Sequence, residues 1–184
     1  MNFSVLHVLF WILTVLCRWK FENKRSIIHT GCGGTITLSQ EGRNRIISSP
    51  NYPSSYPNNV RQGNCTWTVH APGSSNITIE FLSFDIEAGG TSCVFDDISI
   101  FDGSNTENRL AKACGTTSRS YVNGQSFRND TPGPFHSTSS SMFISFKSDA
   151  SVQKKGFRAK LSIPGKGLTL LWYWCQEFVL YCWV

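Results

Sequence analysis

The chain has 184 residues, of which 40% are hydrophobic and 16% charged, a composition that suits one ordinary domain and excludes wholesale disorder. Its formal net charge of +5 comes largely from a basic stretch at residues 18–31, whereas residues 32–163 contain twelve Lys and Arg against ten Asp and Glu. A nearly neutral domain without clustered basic residues excludes a nucleic-acid-binding face, so no nucleic-acid partner is expected.

The first predicted element is a signal peptide at residues 1–17. Residues 3–16 are predominantly apolar, and this run is long enough for a signal-peptide core but shorter than the ~20 residues needed to span a bilayer. The basic residues 18–31 are predicted to form a linker, which includes a dibasic pair at Lys24 and Arg25.

Three glycosylation sequons support secretion. They are Asn64-Cys-Thr, Asn76-Ile-Thr and Asn129-Asp-Thr. Such acceptors have a role only in the secretory lumen, where oligosaccharide is attached to exposed asparagines. The protein is therefore expected to be secreted or extracellular.

Five segments have the pattern of β-strands, and they lie at residues 65–69, 77–81, 98–100, 142–146 and 157–163. They alternate apolar with polar residues, which is typical of strands with one face in a core. Turn-forming residues separate them, and no window has a sustained helical period. The pattern predicts an all-β sandwich or barrel. Four aromatic residues fall on its inward positions: Trp67, Phe81, Phe84 and Phe146.

The last segment, residues 164–184, differs from everything before it. It is rich in aromatic residues and is interrupted by Gln176 and Glu177. It is too short and too polar at its middle for a membrane span, so membrane association is not expected. Our hypothesis is that this tail is translated intron, because Gly165-Lys166 can be encoded by a splice-donor sequence.

A set of short motifs lies within residues 32–163. The motifs are Cys32-Gly-Gly-Thr, Ser49-Pro-Asn-Tyr-Pro-Ser-Ser-Tyr56-Pro-Asn, Cys65-Thr-Trp67, Phe84-Asp-Ile-Glu87, Cys93-Val-Phe-Asp96, Phe101-Asp-Gly103, Cys114-Gly115, Phe146-Lys-Ser-Asp149 and Gly156-Phe157. Together they resemble the CUB domain. The resemblance implies an all-β fold, a jelly-roll of two antiparallel sheets found in extracellular proteins.

The four cysteines of this region allow three disulfide connectivities, and the sequence alone does not choose among them. The resemblance to the CUB family implies Cys32–Cys65 and Cys93–Cys114. A zinc site is the alternative, but it needs closely paired ligands and these spacings do not provide them.

The same resemblance implies a calcium site. Glu87, Asp96 and Asp149 match the positions that coordinate Ca²⁺ in calcium-binding members, and Tyr56 matches a tyrosine that positions the first carboxylate through a hydrogen bond. Three converging carboxylates without a cation would raise one another's pKa values, and a divalent ion removes that cost. A net charge near −1 then remains, which can attract a lysine or arginine of a partner.

Two interpretations of the acidic residues stay open. In the alternative, Asp96 and Asp149 cap turns and Glu87 is solvated. The remaining acids of interest are expected at turns or on the surface rather than as ligands: Asp85, Asp97 and Asp102.

Catalysis is not expected. The sequence has no nucleophile elbow, no zinc-protease motif and no phosphate-binding glycine loop, and no serine is marked as a partner for His70 or His136. The predicted function is an extracellular, calcium-dependent protein-binding module whose ligand presents a basic side chain. The alternatives are a calcium-independent, glycan-binding or structural CUB module similar to those of seminal fluid, and a fragment of a multidomain receptor or protease.

Overall fold

The computed structural model describes residues 27–28, 32–39, 44–61 and 65–164. These residues form twelve β-strands and no helix, so none of them contributes a helix that could span a membrane. The strands are β1 (Ile27–Ile28), β2 (Gly34–Thr37), β3 (Arg45–Ser48), β4 (Thr66–His70), β5 (Thr78–Ile86), β6 (Asp97–Asp102), β7 (Asn108–Thr116), β8 (Arg119–Val122), β9 (Gln125–Arg128), β10 (Phe135–His136), β11 (Ser141–Lys147) and β12 (Gly156–Ser162).

Hydrogen bonds join these strands into one curled sheet. Its order is β1-β3-β12-β5-β7-β6-β11-β4-β2, with β10 beside β5 and the β8–β9 hairpin beside β7. All pairs are antiparallel except the two outermost, where β1 runs parallel to β3 and β2 runs parallel to β4. The predicted all-β, antiparallel jelly-roll is confirmed, with parallel pairing confined to its edges.

The sheet curls at the junction of β5 with β7. Only two residue pairs join these strands, Asp85 with Thr116 and Ile86 with Gly115. Beyond this seam the strands form two layers, one containing β3, β12 and β5 and the other containing β7, β6, β11 and β4. The layers face each other, because Phe157 of β12 lies edge-on to Trp67 of β4 at 5.8 Å between ring centroids.

The core fills the space between the two layers. The strands place alternate residues inward, as β4 does with Trp67 and Val69 fully buried between half-buried neighbours. The four aromatic residues predicted for the core are all buried. Each buried aromatic side chain contributes roughly 1.5–3 kcal/mol through the hydrophobic effect. The core therefore holds the two layers, and the loops at their ends, in a fixed relation.

Two disulfides join the segments that the resemblance implied. Cys32–Cys65 connects the residues that precede β2 and β4, and Cys93–Cys114 connects the loop before β6 to β7. In the chain-entropy account, closing loops of this size stabilises a fold by about 3–4 kcal/mol each. The second disulfide also fixes the loop that leads into Asp96.

Some predicted features lie outside the described residues. These are the signal peptide at residues 1–17, the tail from residue 165, and the sequon asparagine Asn64. Of the predicted linker, only residues 27–28 are described, and they form β1. The other two sequon asparagines, Asn76 and Asn129, are exposed, as attachment of a glycan requires.

Candidate metal centre

Three strand ends meet at one corner of the sandwich and bring acidic side chains together. Glu87 follows the end of β5, Asp96 precedes β6 and Asp149 follows β11. One carboxylate oxygen from each of these residues lies within 4.8 Å of the others. The sheet order explains the meeting, because the start of β6 pairs with the end of β11 and also with β7, which borders β5.

Tyr56 lies beneath this cluster and connects two of its loops. Its ring is fully buried and packs edge-on against Phe146 at 5.1 Å. Its hydroxyl donates to Asp96 Oδ2 at 2.5 Å and accepts from the backbone N–H of Glu87 at 3.1 Å. Tyr56 therefore lies at the cluster, as the resemblance implied. The resemblance assigned its hydrogen bond to the first carboxylate of the site, and Glu87 is the first of the three in the chain. In the structure Tyr56 instead bonds to the carboxylate of Asp96 and only to the backbone of Glu87.

Asp149 is fixed by backbone contacts around it. Its N–H donates to Asp96 Oδ1 at 2.7 Å, and its own Oδ1 accepts from the N–H of Ser151 at 2.8 Å. Its carbonyl accepts from the N–H of Asn59 at 2.6 Å. These bonds orient both aspartates before any ligand arrives.

The cluster is electrostatically strained. Burial raises the pKa of Glu87, and the negative charges of Asp96 and Asp149 raise it further, against an opposing effect of Lys154. Burial also raises the pKa of Asp96, although hydrogen bonds from Tyr56 and from the Asp149 N–H oppose the change. The folded chain therefore favours neutralising this corner, by protons or by a cation.

The donor set suits a hard cation. Calcium binds oxygen ligands at 2.3–2.6 Å, so oxygens on one ion are at most about 5 Å apart, and the three carboxylates satisfy that limit. Glu87 Oε2 is buried and has no hydrogen-bond partner among the described residues. An unpaired buried carboxylate oxygen is costly, and coordination of a cation would remove that cost.

The sequence did not indicate a role for Asn58. Its Nδ2 donates to the carbonyl of Ala150 at 2.9 Å, so it links the loop after Tyr56 to the loop after Asp149. Its Oδ1 is buried without a partner among the described residues. The Tyr-Pro-Asn motif contained this residue, but a motif does not specify which loop the amide contacts.

The other acids divide into two groups. Asp85 and Asp102 are half-buried and lie outside the acidic cluster, where Asp85 accepts from the N–H of Lys155 and Asp102 accepts from Thr138 and Ser139. Burial acts to raise the pKa of Asp102, but these donors outweigh it and the pKa is lowered. Asp97 departs from the prediction, since it is buried rather than exposed at a turn.

The two histidines of the domain make simple polar contacts. Nδ1 of His70 lies 3.0 Å from Ser141 Oγ, and Nδ1 of His136 lies 3.0 Å from Thr78 Oγ1. Among the described residues, no carboxylate hydrogen-bonds to either ring. The third member of a catalytic triad is therefore not assembled at either histidine.

Replacing Tyr56 with phenylalanine tests the link beneath the cluster. The change removes one hydroxyl and leaves the Glu87 N–H and Asp96 Oδ2 without this partner. Unmade bonds of this kind cost about 1–3 kcal/mol each, so we expect the free energy of unfolding of the metal-free chain to fall by at least about 2 kcal/mol in urea titrations. Tyr52→Phe is the control, since its ring is half-buried beside Lys155. Equal stability of the two variants would contradict the assigned role.

The chain is similar to known proteins both in its sequence and in its fold. A family model described as CUB domain matches residues 32–161. Mouse tolloid-like protein 1 is 35% identical over 150 residues, which cover 79% of this chain. Human cubilin is 40% identical over 129 residues, which cover 70% of this chain. The crystal structure of the MASP-1 CUB2 domain bound to Ca²⁺ superposes with a TM-score of 0.51 at 27% identity, covering 71% of this chain and 98% of that one.

The matched region is a small part of the curated relatives. The chain spans 13% of the length of mouse tolloid-like protein 1 and 3% of the length of human cubilin. By contrast, it corresponds to nearly the whole of the MASP-1 CUB2 structure. The likeness is therefore to one module within larger proteins.

Proposed function

Because this chain belongs to the CUB domain family, we propose that it is an extracellular binding module that holds one calcium ion and binds a partner protein through it. CUB domains are binding modules of extracellular proteins, and the CUB region itself is not enzymatic. The observation that supports calcium most directly is the convergence of Glu87, Asp96 and Asp149 within 4.8 Å.

Calcium would be held by these three carboxylates. When bound, the ion supplies two positive charges that offset the repulsion and burial responsible for the raised pKa values of Glu87 and Asp96. Tyr56 and the Asp149 N–H keep the Asp96 carboxylate in place, and the Ser151 N–H does the same for Asp149. The protein therefore provides an ordered set of oxygens that needs little rearrangement.

Charge defines the class of partner. Three carboxylates and one divalent ion leave a net charge near −1, which favours a lysine or arginine side chain and disfavours an acidic one. Calcium takes six to eight oxygen ligands, so three carboxylates leave further positions for carbonyls or water. We propose that the partner is an extracellular protein whose basic side chain reaches the carboxylates.

Apolar side chains next to the cluster support contact with a protein. Val94 and Phe95 precede Asp96, and Val152 follows Ser151. They are 60%, 45% and 51% exposed, unusual values for large apolar residues in this domain. Exposed apolar groups beside a charged site are typical of protein-binding surfaces. The partner's basic residue is therefore expected to have aliphatic neighbours.

The test is a calorimetric calcium titration of the oxidised chain at pH 7.4. We expect saturable one-site binding, and calcium at 100 times the dissociation constant should raise the free energy of unfolding by about 2.7 kcal/mol. Asp130→Asn, which removes an exposed acid outside the cluster, is the matched control and should bind as the parent does.

Absence of heat and of thermal stabilisation at millimolar calcium would overturn the proposal. The calcium-independent function would then remain. In a second arm, arrays of lysine-containing peptides are compared with copies in which the lysine is acetylated. Calcium-dependent binding that acetylation leaves unchanged would reject a basic side chain as the ligand.

A further inference from the structure

A second polar surface lies on the outer face of β6, β7 and β11. In β6, Ile98 and Ile100 are fully buried and face the core, so the residues that alternate with them face outward. Those outward residues are Asp97, Ser99 and Phe101. Asp97 and Ser99 are only 3% and 8% exposed even though they lie on the outside of the sandwich. Something on that face covers them.

The covering groups are long side chains from the two neighbouring strands. Lys147 of β11 lies opposite Asp97, and Lys112 of β7 lies opposite Ser99. Arg109 of β7 lies opposite Phe101. Together these residues and Ser145 line a groove of about 160 Å³. We call it the outer groove.

The floor of the outer groove contains polar groups. Ser99 Oγ donates to Asp97 Oδ1 at 2.8 Å, and Ser145 lies directly across from Ser99 on β11. Lys147 Nζ and Lys112 Nζ lie 3.1 Å and 3.7 Å from Asp97 Oδ2. Lys112 Nζ also donates to the carbonyl of Ser92 at 3.0 Å. Asp97 thus holds both ammonium groups at the groove.

The outer groove has an excess of positive charge. Arg109, Lys112 and Lys147 contribute three positive charges and Asp97 one negative charge, which leaves two positive charges. Arg109 is exposed and forms no ion pair with any described carboxylate. A guanidinium with free donors and two ammonium groups are suited to recognising a tetrahedral oxyanion.

We propose that the outer groove binds a sulfate ester group of an extracellular glycan. The groove volume suits one such group rather than an extended chain, with Arg109 and the lysines contacting its oxygens. Phe143, which is half-buried, packs against the buried Phe101 at 6.0 Å between ring centroids, and its remaining exposed surface can contact a sugar ring. A sulfate ester stays ionised at physiological pH, so its recognition needs cations but no proton exchange.

This site is separate from the candidate metal centre. Asp96 contacts Tyr56 and the Asp149 backbone, whereas the next residue, Asp97, contacts Ser99 and the lysines. Asp96 precedes β6 and Asp97 begins it, and their different contacts place the two carboxylates on different surfaces. The proposal therefore stands independently of calcium, and its test is done in the presence of a chelator.

The experiment is calorimetric titration of the oxidised chain with a heparin-derived tetrasaccharide, in parallel with its desulfated form and inorganic phosphate. We expect saturable binding of the sulfated sugar only, weakened by added salt. Arg109→Gln should weaken it about fivefold or more. Arg158→Gln is the charge-matched control, because Arg158 lies on β12 in the other layer.

Two outcomes would overturn the proposal. Equal loss for Arg109→Gln and Arg158→Gln would mean that only overall charge matters. Binding of phosphate without binding of the tetrasaccharide would mean that the groove is a phosphate site instead. Amide NMR shifts provide a second readout, since the sulfated sugar should perturb Ser99 and Ser145 and leave Glu87 unchanged.

Discussion

Replacing Asp96 with asparagine is expected to abolish stabilisation by calcium while leaving the metal-free chain folded near pH 7. Asparagine has nearly the same shape and removes one negative charge from the cluster. Its oxygen can accept from the Asp149 N–H, as Asp96 Oδ1 does, but its amide nitrogen cannot accept the bond that the Tyr56 hydroxyl donates to Asp96 Oδ2. The variant therefore loses one hydrogen bond together with the charge of one proposed calcium ligand.

The pH dependence follows from the raised pKa of Asp96. A group with a raised folded-state pKa binds its proton more tightly when folded, so its stabilising contribution is present below the unfolded value, 3.8. That contribution is lost as the pH rises through the raised folded value. Asparagine does not ionise and does not undergo this loss. The metal-free stability of the variant, relative to the parent, should therefore be highest near neutral pH and decline towards pH 4.

Urea titrations from pH 4 to 8, with chelator and with calcium, measure both effects. Loss of an outer-shell contact already weakens metal sites about 10- to 100-fold, so loss of a charged ligand should weaken calcium binding by at least about 100-fold. Asp130→Asn serves again as control. A variant that calcium still stabilises fully would show that Asp96 is not a ligand.

Replacing Gly156 with alanine is expected to destabilise the chain by roughly 3 kcal/mol or more and to weaken the proposed binding of calcium. Gly156 has φ of +86°, and a Cβ there would lie 1.8 Å from Ser49 Oγ and 3.2 Å from Tyr56 Cδ1. The left-handed conformation costs about 1–2 kcal/mol for alanine, and overpacking adds about 1–3 kcal/mol. Ser49 cannot move freely, because its Oγ accepts from the Phe157 N–H at 3.1 Å.

Gly73→Ala isolates the steric part of this effect. Gly73 has φ of +60°, but nothing lies within 4 Å of a Cβ built on it. Its alanine variant should therefore suffer only the backbone cost. Ser49→Gly in the Gly156→Ala background should restore part of the stability and part of the calcium response. Equal destabilisation by the two alanines, or no rescue, would reject the close approach of Gly156 to Ser49.

The sequence predicted the strands that alternate strongly and missed those that do not. The five predicted segments correspond to β4, β5, β6, β11 and β12. By contrast, β7 fills its inward positions with Ala111 and Ala113, whose small side chains give no hydrophobic alternation. The four-residue strand β3 has two adjacent isoleucines instead of a period. Short or alanine-rich strands depend on their neighbours, and a local pattern does not contain that information.

The candidate site was predicted less completely. Asp96 and Asp149 are 53 residues apart, and the pairing of β6 with β11 brings them close enough to share a hydrogen bond. Sequence spacing does not predict that pairing, so the site was predicted from the motif resemblance. Asp97 was expected at the surface because charged residues usually lie there. It is buried instead because Lys112 and Lys147 reach it from neighbouring strands.

The narrow seam between β5 and β7 has a mechanical consequence. Among the described residues, two ladder pairs and the bond from the Thr117 N–H to the Phe84 carbonyl join the layers there. Glu87 continues from β5 on one side of the seam, whereas Asp96 and Asp149 belong to the layer on the other side. If the chain binds calcium as proposed, the ion would connect the two layers across this seam. The force needed to pull the layers apart should then depend on the calcium concentration around the protein, and the module would soften where calcium is scarce.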